Sequence, residues 1–195
     1  MIAFKGISPD MTARLGNHDG EVFRIGQKYS VEQSKTARNG YHACENPLNC
    51  LTYYDLTRDR FFKVECGGSI DEDNSERIAC TEMTILEELT IAEMFAEAVR
   101  YIVRHPERDK WECRHNGVEV RRNNASASII AIARGEDPRA TIITETGQVC
   151  GYIGLIKEDD SGQLIAARSF KVDGNERKFY TWYHIADNGS VEEVD

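Results

Sequence analysis

Thr90-Ile91-Ala92-Glu93-Met94-Phe95-Ala96-Glu97-Ala98-Val99-Arg100-Tyr101-Ile102-Val103-Arg104 is the stretch on which the fold class turns. Thr90 and Glu93 stand at capping-box spacing, so each side chain can satisfy a backbone N–H that the first helical turn leaves open. Ile91, Met94, Phe95, Ala98, Val99, Ile102 and Val103 fall on one apolar stripe. Glu93 and Glu97 lie toward the positive end of the helix dipole, and Arg100 and Arg104 toward the negative end. Pro106 stops the run. The spacing predicts one strong amphipathic helix, and it speaks of structure rather than function.

Upstream of it the pattern is mixed. Ile2-Ala3-Phe4 reads as a strand ending at Lys5-Gly6, and Ser8 to Gly20 as loop. Glu21 to Ile25 alternates like a strand, and Gly26-Gln27-Lys28-Tyr29 turns into another extended piece. Asn39-Gly40 signals a turn into a short buried strand at Tyr41-His42-Ala43-Cys44. Pro47 suits a first helical turn, and Leu48, Leu51 and Tyr54 follow at helical spacing, which predicts a short helix over 47–54. Arg60 to Cys66 alternates as a strand. Gly67-Gly68 breaks it, Asp71 to Glu76 is a charged turn, and Arg77 to Ile85 is extended.

Downstream of Trp111 the apolar positions become β-branched and closely spaced, as in Ile129-Ile130-Ala131-Ile132 and Cys150 to Ile156. Short strands at intervals near ten residues are expected. Leu164–Val172 and Phe179–Ile185 read as a final pair joined through Asp173-Gly174-Asn175, with a further turn at Asp187-Asn188-Gly189. The expected class is therefore α+β: a mixed N-terminal domain over 1–106 with one main amphipathic helix, then a mostly β domain over 107–195.

The chain has 195 residues, of which 41% are hydrophobic and 29% charged, which is globular composition and not that of a disordered chain. No apolar run approaches the roughly 18 residues that span a bilayer. The first residues lack the layout of a signal peptide, so a cytoplasmic location is expected. In that compartment the six widely spaced cysteines read as free, small core residues.

Charge is unevenly distributed. Glu65, Asp71, Glu72, Asp73, Glu76, Glu82, Glu87, Glu88, Glu93 and Glu97 face a single base, Arg77, between positions 65 and 98, so this stretch alone matches the net charge of −9. Arg100 to Arg139 carries nine bases against six acids. If these segments form separate surfaces, the molecule is polarised.

Gly40-Tyr41-His42-Ala43-Cys44-Glu45-Asn46-Pro47-Leu48, together with Met1 to Gly6 and Tyr53-Tyr54-Asp55, resembles an uncharacterised family common in phages and prophages. In that family an N-terminal domain carries a G-F-H-A-C-x-x-P-L stretch. A variable Ala/Gly/Ser-rich repeat of β-solenoid type follows, and a strand pair like Gln163–Arg168 and Thr181–Tyr183 ends it. Here Asn124 to Gly147 is only a short remnant of such a repeat. The resemblance implies a phage accessory protein, of the kind that blocks host machinery, CRISPR complexes included.

Four constellations compete for a function. The acidic run could imitate nucleic acid and occupy a basic channel of a host defence complex, with Asp71, Glu72, Asp73, Glu76, Glu82, Glu87, Glu88, Glu93 and Glu97 as the contact residues and no cofactor. An ADP-ribosyltransferase-like layout is the alternative, in which Tyr41 and Tyr53 or Tyr54 clamp the nicotinamide of NAD and Glu65 supplies the carboxylate; Lys5 stands where an arginine or histidine is usual. His42-Ala43-Cys44 with Cys50, and Cys113-Arg114-His115, hold metal-ligand types but lack the paired spacing of a zinc site, so no metal is expected. Arg114, Arg121 and Arg122 with Trp111 form a small basic patch. The overall charge turns that patch toward an acidic protein neighbour, a second copy of this chain included, more than toward direct nucleic-acid binding. A structural accessory protein with a solenoid remnant is the third functional class.

Overall fold

The computed structural model describes residues 1–14, 20–72, 77–106, 113–115, 118–123, 129–144 and 151–194. The chain divides into two compact units, Met1–Ala98 and Val99–Asp195. The division falls inside the long helix and ahead of the Pro106 boundary expected from sequence. The class is α+β with strands dominant, and among the described residues the one α-helix is the one the capping box announces.

The first unit is built on a five-stranded antiparallel sheet. Its strands are β1 (Ile2–Ile7), β2 (Lys28–Ser30), β3 (Tyr41–Ala43), β4 (Arg60–Glu72) and β5 (Ile78–Leu89). The order is β1-β4-β5-β2, with β3 also on β5. Pairing sets which side chains share a face. Ala3 lies opposite Val64 and Lys5 opposite Phe62, so Ala3, Lys5 and Ile7 point to the face that carries Phe62, Val64 and Cys66. That face holds a core with Phe23, Tyr29, Tyr41, Ile78, Met83 and Ile85.

Two expectations fail here for local reasons. Glu21 to Ile25 is not a strand; only Val22 bridges, to Thr12. The Tyr29 hydroxyl accepts the Arg24 N–H at 2.7 Å and donates to the Val22 carbonyl at 3.2 Å, while the Glu21 carbonyl accepts the Ala13 N–H and the Phe23 N–H donates to the Met11 carbonyl, so one bridge and a side chain stand in for a ladder. Nor does Gly67-Gly68 end β4. Gly68 takes φ +68 inside a bulge, Thr81 Oγ1 accepts the Ser69 N–H at 2.9 Å, and pairing resumes at Ile70 opposite Cys80. Asp71 and Glu72 are therefore strand residues.

A 3-10 helix, Pro47–Thr52, follows β3, with Asn46 Oδ1 accepting the Leu48 N–H. The main helix α1 (Ile91–Arg104) opens as expected. Thr90 Oγ1 accepts the Glu93 N–H at 3.2 Å, and Glu93 accepts the Thr90 N–H at 2.8 Å. Met94, Phe95, Ala98, Val99 and Ile102 are buried, as the stripe requires.

The second unit has two four-stranded sheets. One runs β11 (Leu164–Val172), β10 (Gly151–Glu158), β8 (Ile129–Gly135), β6 (Cys113–His115); the other runs β13 (Val191–Val194), β12 (Trp182–Ile185), β9 (Arg139–Thr144), β7 (Val118–Asn123). From β6 to β10 the chain alternates between the sheets. Each strand pairs in parallel with the one two places earlier: Cys113 with Ile132, Val118 with Arg139, Ile129 with Gly151. Successive coils are thus 19, 21 and 22 residues apart, the topology of a short two-faced β-solenoid.

Alanine, isoleucine and leucine from both sheets fill the interior, with Tyr183 the largest fully buried side chain. Gly151 lets the sheets approach, since a Cβ there would lie 2.3 Å from Ile142 Cδ1. The expected β11–β12 pair does not form. β11 pairs with β10 and β12 with β9, in different sheets. The connection crosses between them through Tyr180, at φ +62, whose N–H donates to the Ile142 carbonyl at 2.9 Å. The turn at Asp187-Asn188-Gly189 does join β12 to β13.

One charged pair is sealed in this unit. Arg134 Nε donates to Glu158 at 3.0 and 3.1 Å, and both residues are buried. Removing one partner strands the other charge away from water. Arg134→Met should therefore lower unfolding stability by about 3–5 kcal/mol in urea titration, and Arg134→Met with Glu158→Leu should recover most of that loss.

Candidate functional site: an aromatic and cationic pocket

A cavity of about 330 Å³ opens in the first unit between β1, β3, the 3-10 helix and the loop before β3. This lies at the lower end of the ~300–1,000 Å³ range of small-molecule sites. Its apolar wall is aromatic: Phe4, Phe23, Tyr41, Tyr53 and Tyr54 line it. Phe23, Tyr29 and Tyr41 meet edge to face, with centroids 5.1, 6.3 and 6.0 Å apart, so the inner end is stiff. Three cationic side chains, Lys5, Arg38 and Arg77, also line the cavity. Among the described residues lining it, none is a carboxylate.

Each wall is held by identifiable contacts. Gly6 has no Cβ because the Tyr54 ring occupies that space: a Cβ would sit 2.3 Å from Tyr54 Cγ. Gly40, at φ +85, has Ser34 and the Cys80 carbonyl where a side chain would go, and it delivers the chain into β3. The loop before it is fastened at both ends. Asp71 accepts from Lys35 Nζ at 2.8 Å and from the Thr36 N–H at 2.8 Å, and His42 Nε2 accepts the Ala37 N–H at 3.1 Å.

Asp59 anchors the opposite wall. It accepts from Arg14 Nη1 and Nη2 at 3.2 and 2.9 Å and from the Asp55 N–H at 2.8 Å, while Arg14 Nη2 also donates to the Tyr53 carbonyl at 3.0 Å. The Arg14 guanidinium lies 5.2 Å from the Tyr54 ring centroid. Burial would raise the Asp59 carboxyl, but hydrogen bonds from Arg58, the Asp55 backbone and Arg14 hold it below its ordinary value. Burial raises the Tyr54 phenol to about 12. Burial and then the Glu21 carboxylate, which accepts the Tyr41 hydroxyl at 3.2 Å, raise Tyr41 to about 12. Both hydroxyls are neutral donors at physiological pH.

Tyr41 and Tyr53 come together at this cavity, but Glu65 does not. It lies exposed on β4 between core-facing Val64 and Cys66, and strand alternation turns it to the opposite sheet face. The clamp-and-carboxylate arrangement expected of a transferase is therefore corrected: its aromatic half is assembled without Glu65.

The acidic run does not form one bare face either. Asp71 is engaged with Lys35 and Thr36, and Glu93 with Thr90. Glu82 pairs with Lys28 at 2.9 Å, Glu88 with Arg60 at 2.5 Å, and Lys63 lies 3.6 Å from Glu87 and 3.5 Å from Glu97. Glu65 and Glu72 are exposed with no described cation drawn to them. Asp73 and Glu76 lie outside the described residues.

Arg114 falls on β6 of one solenoid sheet, and Arg121 and Arg122 on β7 of the other. Trp111 lies outside the described residues. Cys44, Cys50, Cys66 and Cys80 are buried thiols outside any disulfide. Among the described residues no group of three or more His, Cys, Asp or Glu is arranged to hold a metal ion, and no helix is long and apolar enough to cross a membrane.

Residues 1–97 match a family model described as a domain of unknown function, DUF7666. The match spans the whole five-stranded sheet and the pocket, and ends within α1. No curated protein and no solved structure matches the chain.

Sequence reasoning placed Lys5, Tyr41, Tyr53 and Tyr54 near a common site but missed Arg38, Arg77 and the Arg14–Asp59 anchor. Arg77 could have been found as the sole base in the acidic run; it stacks 5.6 Å from the Tyr53 ring centroid.

Gly6→Ala should drive a methyl into the Tyr54 ring and cost about 1–3 kcal/mol, read as a lower denaturation midpoint with a shifted tyrosine environment. Because the Asp59 carboxyl is depressed on folding, its contribution is present above its unfolded pKa of about 3.9 and is lost as pH falls through the lower folded value. Asp59→Asn should accordingly lower stability at neutral pH and flatten the acid limb of the stability profile below pH about 4, measured by thermal unfolding across pH.

Proposed function

We propose that residues 1–97 form a binding module for a small, planar, anionic molecule of the mononucleotide class. The observation that supports this is the lining of the cavity: aromatic rings and three cations converge with no carboxylate among the described lining residues. Rings offer stacking surface to a planar ligand. Arginines offer paired N–H donors to a phosphate or carboxylate. The cavity volume suits one ring system and one charged group, so a dinucleotide such as NAD would extend outside it. Of the transferase-like reading, the part that carries over is recognition of the ligand, not group transfer.

AMP is the first probe. Titration calorimetry should show saturable binding that weakens with salt, and Arg38→Ala or Arg77→Ala should each reduce affinity about tenfold, the loss of one charge-assisted contact. Absence of AMP binding, or binding indifferent to both substitutions, would refute the module as described.

A second reading is a phage-encoded, non-catalytic inhibitor that offers an acidic surface to a nucleic-acid-binding defence complex. One observation favours it: Glu65 and Glu72 stand exposed on the same strand, beside a run of acids whose cations come from neighbouring segments. Capture of a CRISPR effector at low salt, lost at high salt and lost on charge reversal of Glu65 and Glu72, is the expected outcome. Capture unchanged by either would exclude it.

A further inference from the structure

We propose that Lys5 is the amine through which the pocket captures a carbonyl-bearing ligand as an imine. The inference rests on the binding reading above and adds a covalent step to it.

Position comes first. Lys5 lies on the core-facing side of β1, between Ala3 and Ile7 and opposite fully buried Phe62. A lysine at such a place gives up hydration of its ammonium. Lysines in that situation elsewhere in proteins gain a carboxylate; here no described carboxylate pairs with Lys5. Its Nζ donates to the His42 carbonyl at 2.9 Å and stands 5.4 Å from the centroid of the Phe23 ring. Thiols, not acids, surround it: Cys44 and Cys50 share the cavity lining, and Cys66 and Cys80 lie close by.

The chemistry follows from that setting. Burial favours the neutral amine, and it holds Lys5 below the ordinary lysine value although the thiols act in the other direction. The neutral fraction of an amine that opens onto a cavity is a nucleophile toward an aldehyde or ketone. Its lone pair adds to the carbonyl carbon as the C=O electron pair moves to oxygen. The nitrogen gives up two protons in all, the oxygen receives them, and water leaves as the C=N bond forms. No oxidant or other reactant is needed. Arg38 and Arg77 would hold an anionic group of the same ligand, so the ligand class is a small carbonyl compound that also carries a phosphate or carboxylate.

Pyridoxal phosphate serves as the probe, because it joins a planar ring, an aldehyde and a phosphate. The protein is incubated with it, reduced with borohydride, and mapped by peptide mass. The expected result is an adduct concentrated on Lys5, suppressed by excess AMP. In Lys5→Arg, which keeps the cation and removes the nucleophile, the AMP-suppressible adduct at this peptide should be lost. If AMP binds but the adduct scatters over exposed lysines such as Lys28 and Lys35 and AMP does not compete, the imine inference is overturned and the binding reading stands. If neither compound binds, both fall. Should Lys5→Arg fail to fold by circular dichroism, the wild-type peptide map with AMP competition still decides between these results.

Discussion

In the first unit every other strand is carried by the pairing of β4 with β5. β1 hangs on one edge of β4, while β2 and β3 share the outer edge of β5 at different heights. β4 and β5 are long enough to serve three partners because their ladder absorbs two irregularities, one at Lys63/Val64 and one between Gly67 and Ile70. The second irregularity has a chemical basis. Gly68 tolerates a left-handed conformation, and the Thr81 hydroxyl takes over an N–H that the ladder abandons. Past the bulge, β4 continues to Asp71, whose carboxylate fastens the loop that carries Arg38 to the pocket. A kink in one strand is thus coupled to the mouth of a cavity on another part of the sheet.

The acidity of the chain illustrates how linear charge and surface charge diverge in a sheet protein. Positions 65–98 contain almost no bases, yet Lys28, Lys35, Arg60 and Lys63 reach their acids across strands or from a preceding loop. Exposed pairs of this kind stabilise little, on the order of 0–1 kcal/mol each. They do reshape the potential that a partner meets. At the pocket, bases from three separate segments, Lys5, Arg38 and Arg77, line one cavity, and no carboxylate is among the described lining residues. Arg134 and Glu158 show the third case, a pair removed from solvent inside the solenoid.

What could be read in advance depended on whether a signal was local. The helix was legible because capping and periodicity lie within fifteen consecutive residues. β3, β5 and β11 were legible from their alternation and flanking turns. The Glu21–Ile25 segment was misleading because a tyrosine hydroxyl and a single bridge to Met11–Ala13 satisfy its backbone in place of a strand. The partners of β11 and β12 were not legible, since alternation fixes a face and leaves the neighbour open. Of the pocket, the aromatic residues stood out near the Gly40–Cys44 motif. Arg14 and Asp59 did not, because their bond joins positions 45 residues apart.

The coil of the second unit makes length a quantised property. Each turn of roughly twenty residues returns the chain to the same sheet one strand further along, so a whole turn can be gained or removed while every remaining ladder keeps its partner type. Half a coil more would put a strand on the wrong sheet, whereas a few residues are taken up in the connections, as the spacings of 19, 21 and 22 residues show. The antiparallel closing segment, β11 to β13, is independent of that number, for it needs only one exposed edge on each sheet to add to. The number of coils can therefore change in whole steps, and the length of this sheet pair with it, without redesigning either end.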